Sequence, residues 1–234
     1  SLNPELDPKK QPKLTFKPWN LWLLRFMVNS ILPKVDEPDD VKSSVIEIDG
    51  QKFHVFEPAN KTSKGALFWI HGGGYILGNP MQDKYTNFMV PHHLGVTLIA
   101  ISYRVAPRHP FPAPLNDCHR AWQTVLANAD KFDVDPEQLV IGGISAGGGL
   151  AAALVQRLHD EGGTQPIGQL LVCPMIDDRT IKRSDIPMAA PQHMPWNQTS
   201  NRTGWTSYLG KDAAGGDRLP PYAAAARRED LSGL

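Results

Sequence analysis

Cysteine is scarce in this 234-residue chain, which contains only Cys118 and Cys173. Two thiols cannot build a disulfide framework, nor complete a zinc site by themselves. Both read as buried free thiols, an arrangement that suits a reducing compartment. An excess of charge of either sign is also missing: Lys plus Arg number 24 and Asp plus Glu number 24, for a formal net charge of zero. That balance gives no electrostatic reason to expect nucleic acid or an anionic membrane as a partner. Long hydrophobic runs are lacking as well. The longest apolar-rich stretch, Trp19 to Leu32, is interrupted by Asn20, Arg25 and Asn29, and it falls short of the ~20 residues that span a bilayer. No basic segment leads into an apolar stretch with a small-residue cleavage site. The expectation is therefore a chain with no transmembrane segment, with the cytoplasm favoured, and the sequons at Asn60, Asn197 and Asn201 read as chance matches.

Apolar residues make up 41% of the chain, enough for one large core. Residues 1–18 carry Pro4, Pro8, Pro12 and Pro18 and read as an extended arm. Trp19, Trp22, Leu23, Phe26 and Met27 then recur at helical spacing before Pro33, as one apolar face that either packs on the core or covers a pocket. Val45–Ile48 and Lys52–Glu57 flank Asp49-Gly50, a strong hairpin signal. Ala66–Ile70, Val96–Ser102, Leu139–Gly142 and Gln169–Cys173 are short continuous apolar runs, as expected of parallel strands buried on both faces. Helical patterns lie between them, at about Pro80–Leu94, Ala113–Asn128 and Ala146–Asp160, with a later one at Gln198–Leu209. The expected class is α/β: a mostly parallel sheet with an N-terminal antiparallel hairpin, helices on both faces and a helical cap. The expected organisation is a cap arm and helix over 1–44, the α/β core over 45–174, a second cap or insertion over 175–225, and an approach to further strands over 226–234.

Gly143-Ile144-Ser145-Ala146-Gly147 matches G-x-S-x-G and falls between an expected strand and an expected helix. A turn this tight needs small flanking residues, holds Ser145 in a strained conformation and presents its hydroxyl beyond the sheet. The helix N-terminus behind it favours developing negative charge. The competing reading is a phosphate-cradling loop, but the Gly-Lys-Ser/Thr ending is absent and the G-x-G-x-x-G spacing does not occur here. His71-Gly72-Gly73-Gly74-Tyr75 directly follows another expected strand. Its glycines leave backbone N–H groups uncovered, the kind of donor that stabilises an oxyanion in acyl transfer. Gly73 and Gly74, with the N–H of Ala146, form the expected donor set, and Gly72 is an alternative to one of them. His71, which precedes the donors, reads as a loop-fixing residue.

These two motifs, together with Tyr103-Arg104-Val105-Ala106-Pro107-Arg108-His109-Pro110-Phe111-Pro112-Ala113, resemble the hormone-sensitive-lipase-like family of α/β-hydrolases, the bacterial family IV esterases. Residues 1–40 resemble the family's N-terminal cap, and Pro221-Tyr222-Ala223-Ala224 through Leu234 resembles its segment before strand seven. The resemblance implies a carboxylic-ester hydrolase acting on small-molecule esters, with Ser145 as the nucleophile of an acyl-enzyme mechanism and no metal or organic cofactor. It further implies a cap shaping an acyl pocket for short to medium chains, for which Trp22, Phe26, Trp196 and Trp205 are candidate walls and equally candidates for ordinary packing. Ile144 stands where the family usually has an acidic residue. The family's catalytic acid and histidine follow strands seven and eight, after the point at which this sequence stops.

A serine hydroxyl is a weak nucleophile without an adjacent base. Of the histidines, His54, His92, His93, His109, His119 and His159 sit on elements poorly placed for that role. One substitute preserves the order serine, acid, histidine, namely Ser145, Asp177 and His193; capping and an ion pair with Arg179 are the plainer roles for Asp177 and Asp178. The main expectation is therefore a partial esterase whose sheet is completed by a separate C-terminal segment covering an otherwise exposed edge. The alternatives are a catalytically incomplete or small-ligand-binding protein, and pairing of that edge in a homo-oligomer.

Overall fold

The computed structural model describes residues 16, 21–23, 35–183 and 196–234. Asp49 and Gly50 both adopt positive φ, +51° and +72°, the conformation a two-residue hairpin loop requires. They join β1 (Val41–Ile48) to β2 (Gln51–Pro58) in antiparallel register, with Ile48 opposite Gln51. β3 (Ala66–Ile70), β4 (Thr97–Ile101), β5 (Leu139–Ile144) and β6 (Gly168–Val172) complete a six-stranded sheet of order β1-β2-β4-β3-β5-β6. β2 meets β4 antiparallel, and the β4-β3-β5-β6 pairings are parallel. The expected α/β class with its N-terminal hairpin is the architecture found.

Alternation along the central strands divides the core between the two faces of the sheet. Phe68 and Ile70 face the side covered by α2 (Ala113–Ala127) and α3 (Ala146–Asp160), with Phe68 edge-on to Trp122 at 5.5 Å. Leu67 and Trp69 face the other side, where α1 (Lys84–Leu94) packs Phe88 edge-on to Phe56 at 5.1 Å. α1 is stopped by Gly95, whose φ of +67° lets its N–H close back on the Pro91 carbonyl. α4 (Gln198–Leu209) packs against the turn at Asp178–Lys182. Leu21–Leu23 are helical. The rest of the expected arm and helix, Phe26 included, falls outside the described residues.

β6 departs from the expectation of strands buried on both faces. It is the outermost strand, and Leu170 and Val172 are 44% and 37% exposed. α3 packs against it, but no described strand pairs with its outer edge. Cys173 at its end is exposed for the same reason, which corrects the expectation of two buried thiols; Cys118 is buried, and both are free.

After β6 the chain enters a 3₁₀ turn, Asp178–Lys182. Asp178 is fully buried and accepts from Arg227 Nε and Nη2, at 2.8 and 3.0 Å, and from the Gly215 N–H at 2.6 Å. This carboxylate ties the segment around residues 215–227 to the end of the sheet. Arg227→Ala leaves a buried, uncompensated charge, and we expect it to lower unfolding free energy by roughly 3–5 kcal/mol, read as a fall in the urea midpoint.

Candidate active site

Ser145 occupies the single residue between β5 and α3, with φ +55° and ψ −117°. A non-glycine residue at such angles persists only where its surroundings fix it. Here the Ser145 N–H donates to the Val172 carbonyl at 2.9 Å, and its carbonyl accepts from Gly149 and Met175 at 3.0 and 2.8 Å. The small residues of the motif follow from close approach: a Cβ on Gly147 would stand 2.0 Å from the Ile70 carbonyl oxygen, and one on Gly143 would stand 2.5 Å from the Gly147 carbonyl. Among the described residues the Ser145 hydroxyl has no hydrogen-bond partner, and it sits at the positive end of α3.

The parallel register pairs Ile70 with Gly143, so the loops leaving β3 and β5 emerge side by side. Gly73 and Gly74 adopt φ of +118° and +59°. The Gly73 carbonyl accepts from both Ile76 and Leu77 at 3.0 Å, which closes the glycine turn on itself. Among the described residues no acceptor is bonded to the N–H groups of Gly73, Gly74 or Ala146. The Asp83 carboxylate near Gly72, the alternative donor, accepts from Trp69 Nε1 at 2.9 Å. Burial raises the Asp83 carboxyl above its ordinary value, and the Trp69 hydrogen bond opposes the rise.

His71 is 1% exposed and stacked on Tyr103, with ring centroids 4.3 Å apart. Its Nδ1 lies 2.7 Å from the Gly72 carbonyl, which fixes Nδ1 as the protonated nitrogen. Burial pushes its pKa down to about 4 against the opposing effect of that bond. The third sequence motif braces the same loop: Tyr103 OH donates to the His71 carbonyl at 2.9 Å, while Arg104 donates to buried Asp117 through its N–H, Nε and Nη2 at 2.8–2.9 Å.

The other expected residues are scattered. Trp196 is half-buried, its ring edge against Gly74 and its centroid 5.9 Å from Phe16. Trp205 is sealed in the core between Tyr75 and Tyr208, and Trp22 is 72% exposed to solvent. Asp177 is held bidentately by Arg179 at 2.8 and 3.0 Å, which keeps its carboxyl below the ordinary range. His193 lies outside the described residues. His92 pairs with Asp40 at 2.7 Å. His119 Nε2 lies 2.8 Å from Glu161, close enough for an ion pair but off the line of a hydrogen bond. A cavity of about 400 Å³ is lined by Pro107, Phe111, Tyr208 and Leu219 among others; neither Ser145 nor the glycine loop borders it. Sequence reasoning missed Asp83 and Met175, which carry no motif. It also passed over Tyr75 as a participant, although Tyr75 directly follows the glycines.

Residues 67–234 match the protein family described as alpha/beta hydrolase fold. A bacterial heroin esterase superposes with a TM-score of 0.84 at 31% identity, covering 100% of this chain and 77% of that one. Ethyl acetate hydrolase of Pseudomonas putida is 30% identical over 154 residues, 63% of this chain and 48% of that protein. Carboxylesterase NlhH of Mycobacterium tuberculosis is 34% identical over 119 residues, 50% of this chain and 37% of that protein. The chain thus spans half or less of the length of these curated relatives. It belongs to this α/β-hydrolase family, whose hormone-sensitive-lipase-like esterases its motifs resemble.

Two predictions follow from the loop geometry. The His71 pKa of about 4 lies below the ordinary histidine value of 6.5, so the unfolded chain takes up the proton first on acidification. Stability contributed above pH 6.5 is lost as pH falls toward 4, by about 3 kcal/mol. Urea midpoints across that range should flatten in His71→Gln. A Cβ at Gly74 would meet the Trp196 ring at 2.0 Å. Gly74→Ala should lower stability by about 1–3 kcal/mol, and adding Trp196→Ala should recover in thermal melts only the part due to the ring, because alanine at a φ of +59° stays strained.

Proposed function

We propose that this α/β-hydrolase is a carboxylic-ester hydrolase in which Ser145 is the nucleophile and the N–H groups of Gly73, Gly74 and Ala146 bind the oxyanion. The observation that carries the reading is the set of three N–H groups without acceptors beside a strained serine with a free hydroxyl. Esterases among its relatives, at about 30% identity, support the reaction class. In the reaction, Ser145 Oγ bonds to the ester carbonyl carbon while its proton passes to a base. The carbonyl electrons move onto oxygen, where the N–H groups hold them. Collapse expels the alcohol with that proton, and water then repeats the sequence on the acyl-enzyme to release the acid. Each N–H donor contributes about 3–4 kcal/mol to lowering such a barrier.

Among the described residues no imidazole reaches Ser145, and buried His71 already commits its Nδ1 proton to Gly72. In this reading the base comes from polypeptide outside the described residues, and the uncharged, half-exposed edge of β6 is where a segment carrying it would add to the sheet. The N-terminal segment and the 175–225 region act as a cap over a small-molecule ester of short to medium acyl chain, with Trp196 as one wall. A second reading, a protein that binds such a ligand without turnover, is favoured by the same missing imidazole. The in-chain set of Asp177 and His193 is the least supported, because Arg179 already occupies the Asp177 carboxylate.

Hydrolysis of p-nitrophenyl acetate and butyrate is the test. Turnover is expected to fall at least about 1000-fold in Ser145→Ala. Saturable butyrate-ester binding without product would favour the second reading. Turnover by the 234-residue chain that is lost in His193→Ala would favour the in-chain base.

A further inference from the structure

We propose that Tyr75 is a positioning residue whose phenol, acting through Met175, locks the glycine loop to the Ser145 turn. Tyr75 follows Gly74 directly and has a φ of +66°, rare for a non-glycine residue. Its OH donates to the Met175 carbonyl at 2.6 Å. Met175 in turn donates its N–H to the Ser145 carbonyl at 2.8 Å. A single residue, Met175, is thus bonded on one side to the loop bearing Gly73 and Gly74, and on the other to the expected nucleophile.

Three further observations favour a built tether over a chance contact. The Tyr75 ring is stacked on Tyr208 at 4.1 Å and 7° and lies 5.1 Å from Trp205, so the phenol is aimed from a rigid base. The Tyr75 carbonyl accepts from Ala106 at 2.9 Å, which fixes the backbone of the same residue. The bond also crosses the first turn of α3 at Gly149, where a Cβ would stand 2.2 Å from both the Tyr75 OH and the Met175 carbonyl oxygen. The third glycine of Gly147-Gly148-Gly149 thereby acquires a purpose that the nucleophile motif does not give it. Burial keeps the phenol protonated and therefore a donor. The spacing between the serine and the N–H groups of Gly73 and Gly74 is then set by one phenol as well as by the strand register.

The inference rests on the hydrolase reading, and its test separates the two. The first readout is the rate at which an alkyl p-nitrophenyl phosphonate labels Ser145; the second is amide hydrogen exchange at Met175, Gly73 and Gly74, which needs no chemistry at the serine. Tyr75→Phe keeps the ring stack and removes only the donor. It should slow labelling about three- to ten-fold, the worth of one buried hydrogen bond, without changing the reagent concentration at half-saturation, and should speed exchange at Met175. Gly149→Ala should give the same pair of effects, and the double variant should be no slower than the slower single. Tyr85→Phe, on an exposed side chain of α1, should alter neither. Labelling and Met175 exchange at wild-type rates in Tyr75→Phe would overturn the proposal. Protein that carries the segment completing the sheet and still refuses the label would instead remove the hydrolase reading, and Met175 exchange would still decide whether the tether exists.

Discussion

The register that sets Ile70 opposite Gly143 is the constraint on which the candidate site depends. It forces the loops leaving β3 and β5 into the same space, and contact is tolerated because Gly147 brings no Cβ against the Ile70 and His71 carbonyls. From that approach follow the strained angles of Ser145 and the packing of three motifs, separate in sequence, into one brace. His71 and Tyr103 stack behind the glycine loop, the Tyr103 hydroxyl holds the His71 carbonyl, and Met175 donates to the Ser145 carbonyl. None of these supporting groups needs to touch a substrate; each removes a freedom that the loop would otherwise have.

Much of this was legible in the sequence because period and punctuation are local signals. Asp49-Gly50 dictated its hairpin, the run Ala66–Ile70 became a central strand, and the Ala-rich stretch after Ser145 became α3 at the bounds its pattern implied. The expectations that failed depended on neighbours distant in sequence. Gln169–Cys173 reads as a fully buried strand by composition, yet its exposure is decided by which strands pair beside it. Trp22 and Trp205, left open between pocket wall and ordinary packing, show the same dependence, for one faces solvent and the other is sealed in the core. Asp83 carries no motif, and its role comes from its hydrogen bond to Trp69, fourteen residues earlier on β3. The assignment of His71 to loop fixing agrees with its single-sided hydrogen bond and its stack.

The electrostatics around Ser145 are notable for how little free charge the described residues supply. The nearby acidic groups after β6 are spent, Asp177 on Arg179 and Asp178 on Arg227. The residue before the serine is Ile144 rather than an acid. The local field is therefore set mainly by oriented backbone dipoles: the start of α3 and the turn at Gly73-Gly74. Such dipoles are fixed before any ligand arrives and do not titrate, so they operate over the whole range in which the fold survives.

The glycine-rich start of α3 also has a consequence for what keeps the bend at the serine in place. Gly147, Gly148 and Gly149 each disfavour helix by about 1 kcal/mol relative to alanine, and helix nucleation is already costly. The first turn of α3 thus has little tendency to form alone. What holds it is therefore contact with the β3 carbonyls and with the chain after β6 rather than its own propensity, so the bend at the serine is only as firm as the strands beside it.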